Sequence, residues 1–162
     1  MNLYDVGVAN KSDFTADEWD LFRKAPLFAG MIVMAASPSG PIGVVKESFA
    51  ASAALRNGLD AAQGELTKLL AIDLKQNINV QKADSFNPDA LRTEALAICR
   101  EVSRLLHQKA TEQETTEFKA WLLLISREVA NAAREGGFLG FGGVQVSEAE
   151  ASILDQLEVA LR

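Results

Sequence analysis

The chain has 162 residues, 48% of them hydrophobic and 23% charged, which excludes a largely disordered polypeptide and leaves length for one core but not two. Sixteen Lys and Arg stand against 22 Asp and Glu, a formal charge of −6, and no basic run exceeds Arg23-Lys24. That balance argues against nucleic-acid binding and against an anionic membrane surface as partners. The apolar side chains are mainly aliphatic or alanine, which suits close-packed helices. The expectation is one all-α domain over residues 1–162, a compact bundle of six or seven helices built from antiparallel hairpins.

Residues 1–13 mix apolar and polar positions without a period and read as an N-terminal arm. Thr15-Ala16-Asp17-Glu18 is a capping box, with Phe14 and Trp19 set as a hydrophobic staple across the first turn. A first helix therefore starts there, with Trp19 and Phe22 inward. Pro26 suits the first turn of a second helix, where a missing N–H leaves no bond unmade. Leu27 to Ala36 is apolar on every face and makes the expected central helix. The uncharged run Ala25 to Val45 has the length of a membrane span, but Ser37-Pro38-Ser39-Gly40-Pro41 breaks it. The helix before Pro38 reaches only about 18 Å, so a buried hairpin is expected, not an integral membrane segment.

A third helix is expected from about Gly43 to Asn57, ended by Gly58 in the left-handed conformation. A fourth runs from about Leu59 to Leu74 with Leu66, Leu69, Leu70 and Ile72, its continuity weakened by Gly64. Residues 75–86 read as a polar connection. Asn87-Pro88-Asp89 then supplies a cap, a first-turn proline and an acid at the positive helix end. Leu91, Ala95, Ile98, Val102 and Leu105 follow at alternating spacings of four and three, one stripe along a helix ending near Lys109. The next helix, about Glu112 to Glu135, repeats the pattern with Phe118, Leu122, Ile125, Val129 and Ala132, and the short link makes the two an antiparallel pair. Residues 136–146 form a Gly-rich loop. Ser147-Glu148-Ala149-Glu150 is a second capping box, opening a last helix with Ile153, Leu154, Leu157 and Leu161 inward.

Chemistry-bearing residues are few. A single cysteine allows no intramolecular disulfide, and Met1-Asn2-Leu3-Tyr4-Asp5 lacks a basic start and apolar run, so a cytoplasmic location is expected. Cys99 and His107 are the only thiol and imidazole. On one helix they stand about 12 Å apart along the axis and about 80° around it, out of hydrogen-bond reach, which excludes a Cys–His nucleophile. Cys99 reads as a buried small hydrophobe and His107 as a solvated or dipole-stabilising residue. Arg104 occupies the position where a di-iron Glu-x-x-His would need its acid, and no segment alternates acids as an EF-hand does. Glu112, Glu114 and Glu117 suit stabilisation of a helix start. No metal and no cofactor is expected.

The candidate binding loop is Gly136, Gly137, Phe138, Leu139, Gly140, Phe141, Gly142 and Gly143. Its glycines permit close backbone approach, and a helix start follows, yet it matches neither the Walker pattern nor the dinucleotide fingerprint. Phe138, Leu139 and Phe141 either tuck into the core while the glycines turn the chain, or stand exposed as a knob facing a partner or lipid.

Two places share a plan of apolar helix, Gly-containing turn and acid-led helix: Leu27 through Ser37-Pro38-Ser39-Gly40 to Glu47, and Leu122 through the glycine loop to Glu150. On these features the chain resembles the bacterial tellurite-resistance TerB-like domains. The resemblance implies a compact helical unit built around two such hairpins, whose turns in that family hold Ala-Asp-Gly before a Ser-x-x-Glu helix start and carry acids implicated in metal binding. Ser147-Glu148-Ala149-Glu150 matches that helix start, whereas Ser37-Pro38-Ser39-Gly40 and Gly136-Gly137 replace the acidic turn, so the fold carries over and the metal site does not. The function expected is that of a non-enzymatic module acting through a protein partner or as a homodimer. The alternative is a small-molecule or lipid binder with an apolar pocket of Met31, Met34, Phe49, Trp121 and the glycine-loop aromatics.

Overall fold

The computed structural model describes residues 8–36, 52–77, 87–135 and 148–162. Among them lie six α-helices and no strand, so the protein is an all-α bundle: α1 Ala16–Ala36, α2 over 52–60, α3 Glu65–Asn77, α4 Pro88–Lys109, α5 Glu112–Glu135 and α6 Glu148–Ala160. Buried side chains from all six belong to one hydrophobic cluster.

The start of α1 follows its sequence signature. Thr15 N–H donates to the Glu18 carboxylate at 2.8 Å, and Glu18 N–H donates to Thr15 Oγ1 at 3.2 Å. Phe14 and Trp19 rings close the staple with centroids 5.8 Å apart. The aromatic contacts continue from Phe14 to Phe22 (4.7 Å), Phe22 to Phe118 (5.3 Å) and Phe118 to Trp121 (5.7 Å), joining α1 to α5.

The expected break before Pro26 does not occur; α1 passes through it as one helix. Trp19, Phe22, Pro26, Ala29 and Val33 are all buried and recur at spacings of three and four, so one stripe continues past the proline without changing phase. Burial of that stripe outweighs the ~3 kcal/mol that an interior proline costs a helix. The helix packs against α3, α4, α5 and α6 and is the central element, although Met31 keeps 40% of its surface exposed.

Two further boundaries differ from expectation. Gly58 does not end a helix but lies inside α2, buried, and a Cβ there would sit 2.7 Å from Ile125 Cγ1. Its glycine serves a close approach to α5, where its carbonyl accepts from Trp121 Nε1 at 2.7 Å. The helix expected over 59–74 is two: the chain turns at 61–64, and α3 runs from Glu65 to Asn77, past the expected end. The Gly64 carbonyl opens α3, accepting the first regular helical bond from Lys68 N–H at 2.9 Å and a second bond from the Thr67 hydroxyl at 2.8 Å.

The described part of the N-terminal arm is tied to the bundle. Residues Lys11–Asp13 make a 3-10 turn, and buried Ala9 donates its N–H to Glu114 Oε1 at 2.8 Å. Glu114 closes a capping box at the start of α5 as well, accepting Thr111 N–H at 2.9 Å, so one buried carboxylate ties the arm to that helix.

The last three helices agree with the pattern. Asn87 Oδ1 accepts from the N–H groups of Asp89 and Ala90, both at 3.1 Å, with Pro88 in the first turn. Ala95, Ile98, Val102 and Leu105 are buried on α4, and Phe118, Leu122, Ile125 and Val129 on α5. On α6, Ile153, Leu157 and the following Leu161 are buried and Leu154 is half-buried. No helix of the described residues is long and apolar enough to cross a membrane.

Candidate functional site

At the end of α1 far from the aromatic cluster, α1, α4 and α6 enclose a groove of about 210 Å³. Ile32, Ala35 and Ala36 of α1 and Ile153 of α6 give it an apolar side. Asp89 and Arg92 of α4 and Ser152 and Gln156 of α6 give it a polar one, with Pro88 and Ala149 near the two helix starts.

The polar side is internally bonded. Arg92 Nε and an Nη both donate to Gln156 Oε1, at 2.9 and 2.6 Å, and Gln156 Nε2 donates to Ser152 Oγ at 3.1 Å. A neutral amide thus orients the guanidinium without neutralising it. Among the described residues Arg92 has N–H donors beyond those two at the groove's rim, where a carboxylate or main-chain carbonyl could be met. The α6 helix is further tied to α4 by Ser103 Oγ, which donates to the Leu161 carbonyl at 3.1 Å.

The candidate loop Gly136, Gly137, Phe138, Leu139, Gly140, Phe141, Gly142 and Gly143 lies outside the described residues, as do Ser147, Phe49 and the turn Ser37-Pro38-Ser39-Gly40. Of the expected pocket wall, Met31 is exposed and Met34 half-buried, whereas Trp121 is buried and committed to Gly58. Cys99 is fully buried, and burial pushes its thiol up to about 12, so it holds its proton. His107 is exposed on the same helix, and no Cys–His pair forms.

His107 instead faces α5, where Lys119 Nζ lies 3.0 Å from its Nε2. Removal of water from the partly buried Lys119 ammonium lowers its pKa. At the aromatic end, Asp73 accepts from Trp19 Nε1 at 2.6 Å and from Lys11 Nζ at 3.4 Å. That indole bond is the main reason its carboxyl lies below the usual range, with burial opposing and Lys11 and Arg23 assisting. Among the described residues no three His, Cys, Asp or Glu side chains are grouped to hold a metal ion.

Arg92 and Gln156 escaped the sequence reading because they are 64 positions apart on the polar faces of two helices, and nothing local links them. Lys119 did leave a signal. The neighbours one helical turn away are Thr115, Thr116, Leu122 and Leu123, so it has no acid on its own helix face to pair with.

No family model matches the chain, and no curated protein or solved structure matches it.

Proposed function

We propose that the chain is a non-enzymatic bacterial cytoplasmic interaction module, TerB-like in architecture, that takes a protein partner or a second copy of itself into the groove between α1, α4 and α6. The groove carries this reading. At about 210 Å³ it is smaller than the ~300–1,000 Å³ typical of small-molecule sites, and it suits one inserted apolar side chain. Its apolar side with a polar rim follows the anatomy of protein interfaces, and Arg92 has the donors to fix a partner's carboxylate or backbone. Of the residues expected to wall a small-molecule pocket, neither Met31 nor Trp121 lines this groove.

The test is to fill the groove. Ala35→Trp places an indole where a partner side chain would sit. Light scattering and a pull-down from native lysate, run on wild type and variant with helicity checked by circular dichroism, should show a dimer or a specific partner that the folded variant has lost. A strictly monomeric wild type without partners, or a variant that keeps the wild-type partner, overturns the proposal.

A further inference from the structure

Six lysines lie among the described residues, and five of them are salt-bridged to a carboxylate: Lys11 to Asp73, Lys24 to Asp20, Lys68 to Glu65, Lys75 to Asp60 and Lys109 to Glu18. Asp20 raises the pKa of Lys24 by its hydrogen bond and its charge. Lys119 is the exception. Among the described residues no side-chain carboxylate pairs with it, and its neighbours are His107 Nε2 at 3.0 Å and a backbone oxygen of Arg162, the last residue of the sequence, at 3.3 Å. Partial burial disfavours its charge, and that direction is the one a nucleophilic amine needs.

The contact with His107 supplies the other half of the chemistry. With the imidazole neutral and Nδ1 protonated, Nε2 accepts a proton from the Lys119 nitrogen within hydrogen-bond reach. His107 is exposed in the last turn of α4, so an electrophile can approach from solvent. This pair belongs to the α4–α5 connection and owes nothing to the groove.

We propose that Lys119 is a site of acyl modification by acyl thioesters, with His107 Nε2 as its proton acceptor. The Lys119 ammonium first gives one proton through His107 Nε2 to water, and the freed lone pair attacks the thioester carbonyl carbon. As the C–N bond forms the C–S bond breaks, and the thiolate leaves with the bonding pair. The second proton lost from nitrogen passes to Nε2 and from there to the thiolate or water. The products are a neutral amide and a free thiol, nothing is oxidised or reduced, and the chain loses one positive charge.

The experiment is to incubate the full chain with acetyl-coenzyme A at neutral pH and follow acetylation of each lysine by peptide mass spectrometry. Lys119 should be acetylated at least about tenfold faster than each of the five salt-bridged lysines, a modest share of what a positioned base contributes. His107→Gln, an exposed substitution checked for unchanged helicity, should remove most of that advantage while leaving the other five rates as they were. A wild-type Lys119 no faster than the paired lysines overturns the proposal, and so does a folded His107→Gln protein that acetylates Lys119 at the wild-type rate.

Discussion

Replacing Gly58 with alanine adds one methyl group at the contact between α2 and α5. That carbon would lie 2.7 Å from Ile125 Cγ1 and 3.4 Å from Ile125 Cα, whereas carbon contacts settle at about 3.5–4.0 Å. Ile125 is fully buried and cannot turn aside, so α2 must move. Movement stretches the 2.7 Å bond from Trp121 Nε1 to the Gly58 carbonyl, which holds a buried indole donor. Overpacking of this kind costs about 1–3 kcal/mol, and a weakened buried hydrogen bond about 1 kcal/mol more. The better helix propensity of alanine returns about 1 kcal/mol, so a net loss of about 1–3 kcal/mol is expected.

Gly30 in α1 is the control. A Cβ there meets Val129 Cγ2 at 3.4 Å and Ile125 Cγ2 at 4.0 Å, ordinary contact, so the propensity gain dominates and Gly30→Ala should stabilise by about 0.5–1 kcal/mol. Urea titration followed by helical circular dichroism reads both. In a double-mutant cycle, Ile125→Ala should cost less in the Gly58→Ala background than in wild type, because it removes the obstructing atom. If Gly58→Ala is as stable as wild type, or the two glycines respond with the same sign, the close approach of α2 to α5 is wrong.

Asp73 makes stability depend on acid pH. Because its folded pKa is depressed, mainly by the Trp19 bond, the unfolded chain takes up the proton first. Its contribution is complete above the ordinary Asp value of about 4 and is lost as pH falls through the lower folded value. Asp73→Asn should therefore flatten the fall of the urea midpoint below about pH 4, and an unchanged acid slope would refute this. Cys99, with its thiol held at about 12, should resist a disulfide thiol reagent in the native protein and react only as the chain unfolds; rapid native labelling would contradict its burial. Asn87→Ala removes the acceptor for two N–H groups at the start of α4 and should cost about 1 kcal/mol in urea unfolding, whereas Asn87→Asp should cost little.

Helix starts with side-chain caps were the most legible part of the fold. Thr15 with Glu18 and Asn87 with Pro88 are local chemistries, settled within four residues, and the structure places a helix at each. Single glycines and the proline misled because their effect depends on what lies across the bundle. Gly58 is explained by Ile125, 67 positions away, and Pro26 by the partners that bury its stripe. The phase of that stripe was readable, since positions 19, 22, 26, 29 and 33 keep helical spacing through the proline. The groove was not, because its walls come from three helices whose relative positions no local pattern encodes.

Side-chain size along α1 determines where that groove opens. Near its start Trp19 stacks with Phe22, both lie against Phe14, and Phe22 meets Phe118 edge-on, filling the space between helices. Near its end Ala35 and Ala36 face Pro88 of α4 and Ala149 of α6, small groups that leave room between three backbones. Leucine substitutions at two alanines of α1 distinguish a real space from a closed one. Ala29 is fully buried mid-helix, and Ala29→Leu should overpack by about 1–3 kcal/mol. Ala35→Leu extends into the groove and should change stability by no more than about 0.5 kcal/mol in the same urea assay. Should the two leucines prove equally costly, no room exists beside Ala35, and a partner side chain would find none either.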